Sequence, residues 1–201
     1  MKIIGITGGV GCGKSEIIRH IMKNYNCYVI FADDVAKQLQ EKGNLCYDKI
    51  VALLGDNILN NDKEIDKAKM AAKIFADEDL LLRVNGIIHP AVYDFVKEKI
   101  AEYRENSAVD FFIIEAALLI ECGYGKIVDE MWYVYTKEDI RRDRLKKSRG
   151  YSDEKISQIF SSQLSHEEFK NASSFMIDNN DLIEITRKQI DDKLEEYLCQ
   201  K

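Results

Sequence analysis

Residues 8 to 15, Gly8-Gly9-Val10-Gly11-Cys12-Gly13-Lys14-Ser15, fit the pattern Gly-x4-Gly-Lys-Ser/Thr without a mismatch. The run before it, Lys2-Ile3-Ile4-Gly5-Ile6-Thr7, is short and rich in isoleucine, as a buried strand would be. The run after it, Glu16-Ile17-Ile18-Arg19-His20-Ile21-Met22, has apolar residues at helical spacing. A strand, a glycine loop and a helix in that order form the context in which the motif binds phosphate. The glycines let the backbone bend so that successive N–H groups meet phosphate oxygens. The helix start adds a partial positive charge and Lys14 a full one, while Ser15 is placed for a magnesium ion. A nucleoside triphosphate is the ligand this pattern implies.

The later segments extend the same architecture. Residues 27–31, 111–114, 131–135 and 175–177 read as further strands, with helical patterns between them. This predicts an α/β chain of the P-loop NTPase, nucleoside-monophosphate-kinase-like class, with a five-stranded parallel sheet flanked by helices. The stretch from about 35 to 105 is too long for one crossover. Its helical pieces (36–40, 47–54, 67–75 and 80–101) predict a helical insertion, with Pro90 read as a helix breaker. The whole chain reads as one unit with a core near 1–55, 106–136 and 171–201. A helical insertion lies near 56–105 and a helical hairpin near 137–170.

Bulk properties narrow the classes. A net charge of -6 argues against a general nucleic-acid or membrane-surface binder. Five scattered cysteines without a Cys-x-x-Cys pair point to reduced thiols rather than a disulfide frame or zinc site. No apolar run reaches the length of a membrane span. With the phosphate loop beginning within ten residues of Met1, no leader is expected, and the setting is read as cytoplasmic.

In open parallel sheets, ligands gather beyond the carboxyl ends of the strands. Asp33-Asp34 follow the second strand, Glu115 the third and Asp178-Asn179-Asn180 the fifth. Phosphoryl transfer needs positioning, metal and positive charge, with a carboxylate near the acceptor hydroxyl. Asp33 is read as that base and Asp34 as a helix cap. Glu115 is read as a carboxylate reaching magnesium through water, with a cap or surface charge as the alternative. Residues 141–149 concentrate six basic side chains, with 141, 144 and 148 on one helical face and 142, 146 and 149 on another. A lid closing over the phosphate, a solvated face and a nucleic-acid patch are all open to such a run.

In combination these segments resemble the dephospho-coenzyme A kinase family over nearly the whole chain. The resemblance is carried by residues 4–15, by Ala32-Asp33, and by Val84-Asn85-Gly86-Ile87-Ile88-His89-Pro90-Ala91-Val92. Leu118-Leu119-Ile120-Glu121, Arg144-Leu145, Gln158-Ile159 with Gln163, and Ile177-Asp178-Asn179-Asn180 complete it. It implies transfer of the ATP γ-phosphate to the ribose 3'-hydroxyl of dephospho-CoA, giving CoA and ADP. It also implies that the insertion near 56–105 is a substrate-binding domain and the hairpin near 137–170 a lid. ATP would be held by Gly9, Gly11, Cys12, Gly13, Lys14, Ser15, Glu16 and Asn179, with Mg2+ at Ser15 and Glu115. Asp33, Asn85, His89 and Leu118 would meet the acceptor, and Lys14, Asp33 and Arg144 or Arg149 would act in catalysis. No nucleic acid or membrane is implied, and the chain is read as a monomer or weak homo-oligomer. Several positions depart from the family pattern: Glu16 replaces threonine, Glu115 replaces aspartate and Ala117 replaces proline. Lys67 replaces arginine, and the second lid arginine is shifted to Arg149, with Ser148 in its usual place. The alternatives are a kinase for another nucleotide-like acceptor, or a nucleotide-binding regulatory paralogue.

Overall fold

The computed structural model describes residues 1–106 and 108–199. Five strands, β1 (Lys2–Thr7), β2 (Cys27–Phe31), β3 (Phe111–Glu115), β4 (Glu130–Tyr135) and β5 (Phe175–Asp178), form one sheet in the order β2-β3-β1-β4-β5. β1 runs parallel to both β3 and β4, and β4 parallel to β5. Strands covered on both faces should read as continuous apolar runs. Ile3, Ile4, Ile6 and Phe112 through Ile114 are all fully buried. The expected five-stranded architecture is therefore present, with each strand within a residue of its predicted limits.

The chain divides into two compact units, Met1–Ile30 with Tyr103–Lys201, and Phe31–Glu102. In the first, α1 (Lys14–Asn24) buries Ile17, Ile18 and Ile21. α9 (Ile183–Cys199) buries Ile190 and Leu194. The two helices are tied by Asp191, which accepts from the Tyr25 hydroxyl at 2.7 Å and pairs with the His20 ring at 2.7 Å. Truncating a fully buried side chain such as Ile21 to alanine should cost about 2–5 kcal/mol. Between β4 and β5 lie three helices, not a hairpin: α6 (Glu138–Arg149), α7 (Asp153–Ser161) and α8 (His166–Asn171). The interruptions come from Gly150, in the left-handed region at φ 62°, and from the side-chain caps of Ser152 and Ser165 on α7 and α8.

The second unit holds α2 (Ala32–Leu39), α3 (Tyr47–Leu54), α4 (Lys67–Phe75) and most of α5 (Glu78–Asn106). α2 and α3 thus group with the helical insertion. Asp66 caps α4 through the N–H groups of Ala68 and Lys69, and Asp77 caps α5 through those of Asp79 and Leu80. α5 is continuous through Pro90, as the helical pattern over 80–101 predicts, although a proline usually breaks a helix. Its buried residues, Val84, Ile88, Val92, Val96 and Ile100, recur every four positions and form one stripe. Pro90 and Gly86 lie on the exposed side. The carbonyl that Pro90 leaves without an N–H partner faces water, which removes most of the usual cost.

Candidate active site

The loop between β1 and α1 lies at the carboxyl end of the central strand, where the chain's crossovers diverge to the two sides of the sheet. Gly8, Gly11 and Gly13 have φ of 144°, 83° and 99°, so the loop depends on glycine at these positions. A methyl group at Gly8 would lie 2.7 Å from the Val134 carbonyl, and one at Gly13 would lie 2.4 Å from the Asn179 amide nitrogen.

The loop is held from outside by its carbonyl oxygens. Arg141 Nε donates to the Val10 carbonyl at 2.9 Å. The Cys12 carbonyl accepts from Asn179 Nδ2 at 2.7 Å, Thr136 Oγ1 at 2.9 Å and Arg144 Nη1 at 3.3 Å. A peptide unit is planar and trans, so a carbonyl fixed from outside turns the following N–H the opposite way. The donors on Val10 and Cys12 therefore set the directions of the Gly11 and Gly13 N–H groups. Oriented N–H groups at a helix start are what an anion needs.

Lys14 donates to the Gly8 carbonyl at 2.8 Å, and its ammonium lies 3.7 Å from Glu115 Oε1. Both side chains are largely buried, at 13% and 18% exposure, so this pair is screened less than a surface one. Register places Glu115 opposite Ile6, one residue before the end of β1. Ser15 is exposed in the first turn of α1. A hydroxyl and a carboxylate, both hard oxygen donors, suit magnesium, which keeps waters and nucleotide oxygens as its other ligands.

The basic run of α6 splits by face. Arg141 and Arg144 turn to the loop, and Arg144 Nη2 also reaches the Asn179 carbonyl at 3.1 Å. Burial pushes the Arg141 guanidinium below its ordinary pKa, and its planar group stacks 4.2 Å from the Phe160 ring centre. Arg142 pairs instead with Glu138 and Asp153, and Lys146 with Asp153, which joins α6 to α7. Arg149 ends the helix about 7.5 Å further along its axis than Arg144. Its guanidinium lies 5.8 Å from the Tyr151 ring.

A hollow of about 360 Å³ opens beside the loop, bordered by Gly13, Glu16, Arg144, Asn179, Asp181 and Arg187 among others. Asn179 is buried, and its Oδ1 accepts from Thr186 Oγ1 at 3.0 Å while its amide holds the loop. Leu118 is 44% exposed after β3. The structure thus brings Gly9 through Glu16, Glu115, Arg144 and Asn179 into one neighbourhood, and leaves Arg149 at the far end of α6.

Asp33, Asn85 and His89 belong to the helical unit. Asp33 and Asp34 do not end a strand: β2 stops at Phe31 and both lie exposed in the first turn of α2. Asp34 is not a side-chain cap; it pairs with Lys37 at 2.6 Å. Asn85 and His89 are half-buried and one helical repeat apart on α5, so they share a face.

Sequence reading assigned no role of their own to Arg141 and Gln163. Gln163 Oε1 accepts from Arg141 Nη2 at 2.7 Å and from the Val10 N–H at 3.2 Å. The signal for Arg141 was its helical spacing with Arg144. Gln163, twenty-two residues away, was marked by the family resemblance alone, which gave it no partner.

A sequence model of the family described as dephospho-CoA kinase matches residues 2–184. The chain belongs to the dephospho-CoA kinase family. The dephospho-CoA kinase of Oceanobacillus iheyensis is 36% identical over 195 residues, covering 97% of each chain. In fold, the chain is similar to a protein of known structure from Thermus thermophilus, with a TM-score of 0.80, 22% identity and 97% of each chain covered. It is also similar to a dephospho-CoA kinase from Campylobacter jejuni, with a TM-score of 0.73 and 22% identity, covering 98% of this chain and 97% of the other. Members of such a family are phosphotransferases, and ATP is the phosphate donor.

Proposed function

We propose that this chain transfers the γ-phosphate of ATP to the ribose 3'-hydroxyl of dephospho-CoA, forming CoA and ADP. The observation that carries the reading is the phosphate loop, whose Val10 and Cys12 carbonyls are pinned by α6, Thr136 and Asn179 so that its N–H groups are already oriented. Preorganised donors of this kind cost no rearrangement when charge moves in the transition state. Lys14 and the loop N–H groups hold the β- and γ-phosphates. Arg144 stands next to the loop and supplies charge to the transferring group. Asp33, in the first turn of α2, orients or deprotonates the acceptor hydroxyl. Asn85, His89 and Leu118 contact the acceptor.

Ser15 and Glu115 are the residues that would hold magnesium, which neutralises charge on the phosphate oxygens when bound. Five free cysteines support a reducing, cytoplasmic setting. Among the described residues no helix is long and apolar enough to cross a membrane.

The test is to incubate the protein with ATP, magnesium and dephospho-CoA, and to measure ADP and CoA. ADP formation should depend on dephospho-CoA and outpace its formation with adenosine, AMP or other nucleotide acceptors. If ADP does not rise above the ATP-only background, the reading fails. Faster turnover of another nucleotide would transfer it to that acceptor.

A further inference from the structure

Glu16 lies on the wall of the hollow that also contains Gly13, Arg144 and Asn179, where nucleotide phosphates are bound in the reading above, so its carboxylate is within reach of them. A negative charge there opposes a polyanionic ligand. The same residue borders a second hollow of about 460 Å³ on the α1 and α9 face, lined by Arg19, His20, Lys23 and Arg187. Glu16 is thus a partition between a phosphate-side space and a basic one. Its carboxylate is paired with the Arg19 guanidinium, three residues on along α1. We propose that Arg19 is a positioning residue for nucleotide binding: it draws the Glu16 carboxylate into the basic hollow and away from the phosphates. This rests on the proposed ATP site but not on the identity of the acceptor.

Three features of the sequence and fold support the assignment. The i,i+3 spacing on α1 puts the two side chains side by side, whatever the rest of the protein does. The pair is exposed, at 67% for Arg19 and 50% for Glu16, and exposed pairs contribute little to folding, so breaking it leaves the fold intact while freeing the carboxylate. Lys23, which lines this hollow and not the one at Gly13, gives the carboxylate an attractive field on the side away from Gly13.

Calorimetric titration with ATP and magnesium, without acceptor, tests the inference by a double-mutant cycle. Arg19→Ala should weaken ATP binding by roughly five- to tenfold, as one freed like charge near the phosphates would. Arg19→Lys should recover most of that loss. In protein already carrying Glu16→Gln, Arg19→Ala should cost less than about twofold, since no carboxylate remains to be released. Equal losses in the two backgrounds overturn the proposal, because Arg19 would then act on the phosphates directly. No loss in either background also overturns it, because Arg187, on the wall of both hollows, would then hold the carboxylate. Thermal melts of each variant separate misfolding from lost binding. Phosphoryl transfer is not part of the readout, so an intact coupling in a protein inactive toward dephospho-CoA counts against the kinase reading alone.

Discussion

Gln163 Oε1 accepts from Arg141 Nη2 at 2.7 Å and also from the Val10 N–H at 3.2 Å, while Arg141 Nε donates to the Val10 carbonyl. One residue of the phosphate loop is therefore gripped at both its polar backbone atoms by two side chains from the lid segment. The grip fixes the Val10–Gly11 peptide plane, and with it the direction of the Gly11 N–H. Gln163→Leu removes the acceptor for two donors, at a cost of about 1–3 kcal/mol per donor left unmet. The expected result is a KM for ATP raised by roughly tenfold, with kcat within about threefold, because ground and transition states lose the same loop geometry. A kcat reduced without a change in KM would instead place Arg141 and Gln163 on the transferring phosphate.

Asp33→Asn keeps the size of the side chain and removes its charge. Asp33 is exposed, so the change should leave the melting temperature close to that of the parent. Loss of a general base lowers turnover by roughly 10²- to 10⁴-fold. ATP affinity by calorimetry should be retained. Turnover within about tenfold of the parent would show that Asp33 is not the base.

Arg144 and Arg149 can be separated by the same assay. Arg144 bonds the Cys12 and Asn179 carbonyls, whereas Arg149 stands over Tyr151 at the helix end. Arg144→Lys replaces a planar fork with a point charge that cannot span both carbonyls. It should lower kcat/KM by about 10²-fold, in line with loss of one preorganised charge. Arg149→Ala should change it by less than about threefold, as surface substitutions away from a site usually do. The reverse ranking would make Arg149 the lid residue that meets the phosphate.

How much of this could be read from the chain depends on the range of the interactions involved. β1, the glycine loop and α1 follow from local patterning, because Ile3, Ile4 and Ile6 are buried on both faces of the strand and Ile17, Ile18 and Ile21 share a helix face. The helical pattern over 80–101 was legible too, and what lets it run through Pro90 is that Pro90 and Gly86 both face water, which the buried stripe from Val84 to Ile100 decides. The start of α2 at Ala32 was missed, since aspartates after a strand read equally as strand end, cap or first turn. Two of the six basic side chains in α6, Arg142 and Lys146, are ion-paired to Asp153, and Asp153 gives no sign of this in its own neighbourhood. Contacts between the loop and residues 141, 144, 163 and 179 span up to 167 positions, so only their chemistry, not their pairing, was present in the sequence.

The start of β4, beside Tyr197 of α9, carries a pH-dependent term. Burial pushes the Glu130 carboxyl upward, but the Tyr197 hydroxyl and Trp132 indole N–H beside it, with the ammoniums of Lys2 and Lys193, outweigh that effect and hold its pKa below the ordinary value. Trp132 Nε1 donates to Glu130 Oε2 at 3.2 Å, and Lys2 lies 3.4 Å from Oε1. A carboxyl whose pKa is lower in the folded state stabilises the protein above its unfolded value, about 4.3, and loses that contribution as the pH falls through the folded value. Glu130→Gln should therefore lower the denaturation midpoint at pH 7, by an amount equivalent to about 1–3 kcal/mol for a hydrogen bond to a charged group. The gap between the two proteins should narrow as the pH falls below about 4. A gap that stays constant between pH 7 and pH 3 would mean that shape, and not charge, is what Glu130 contributes at the start of β4.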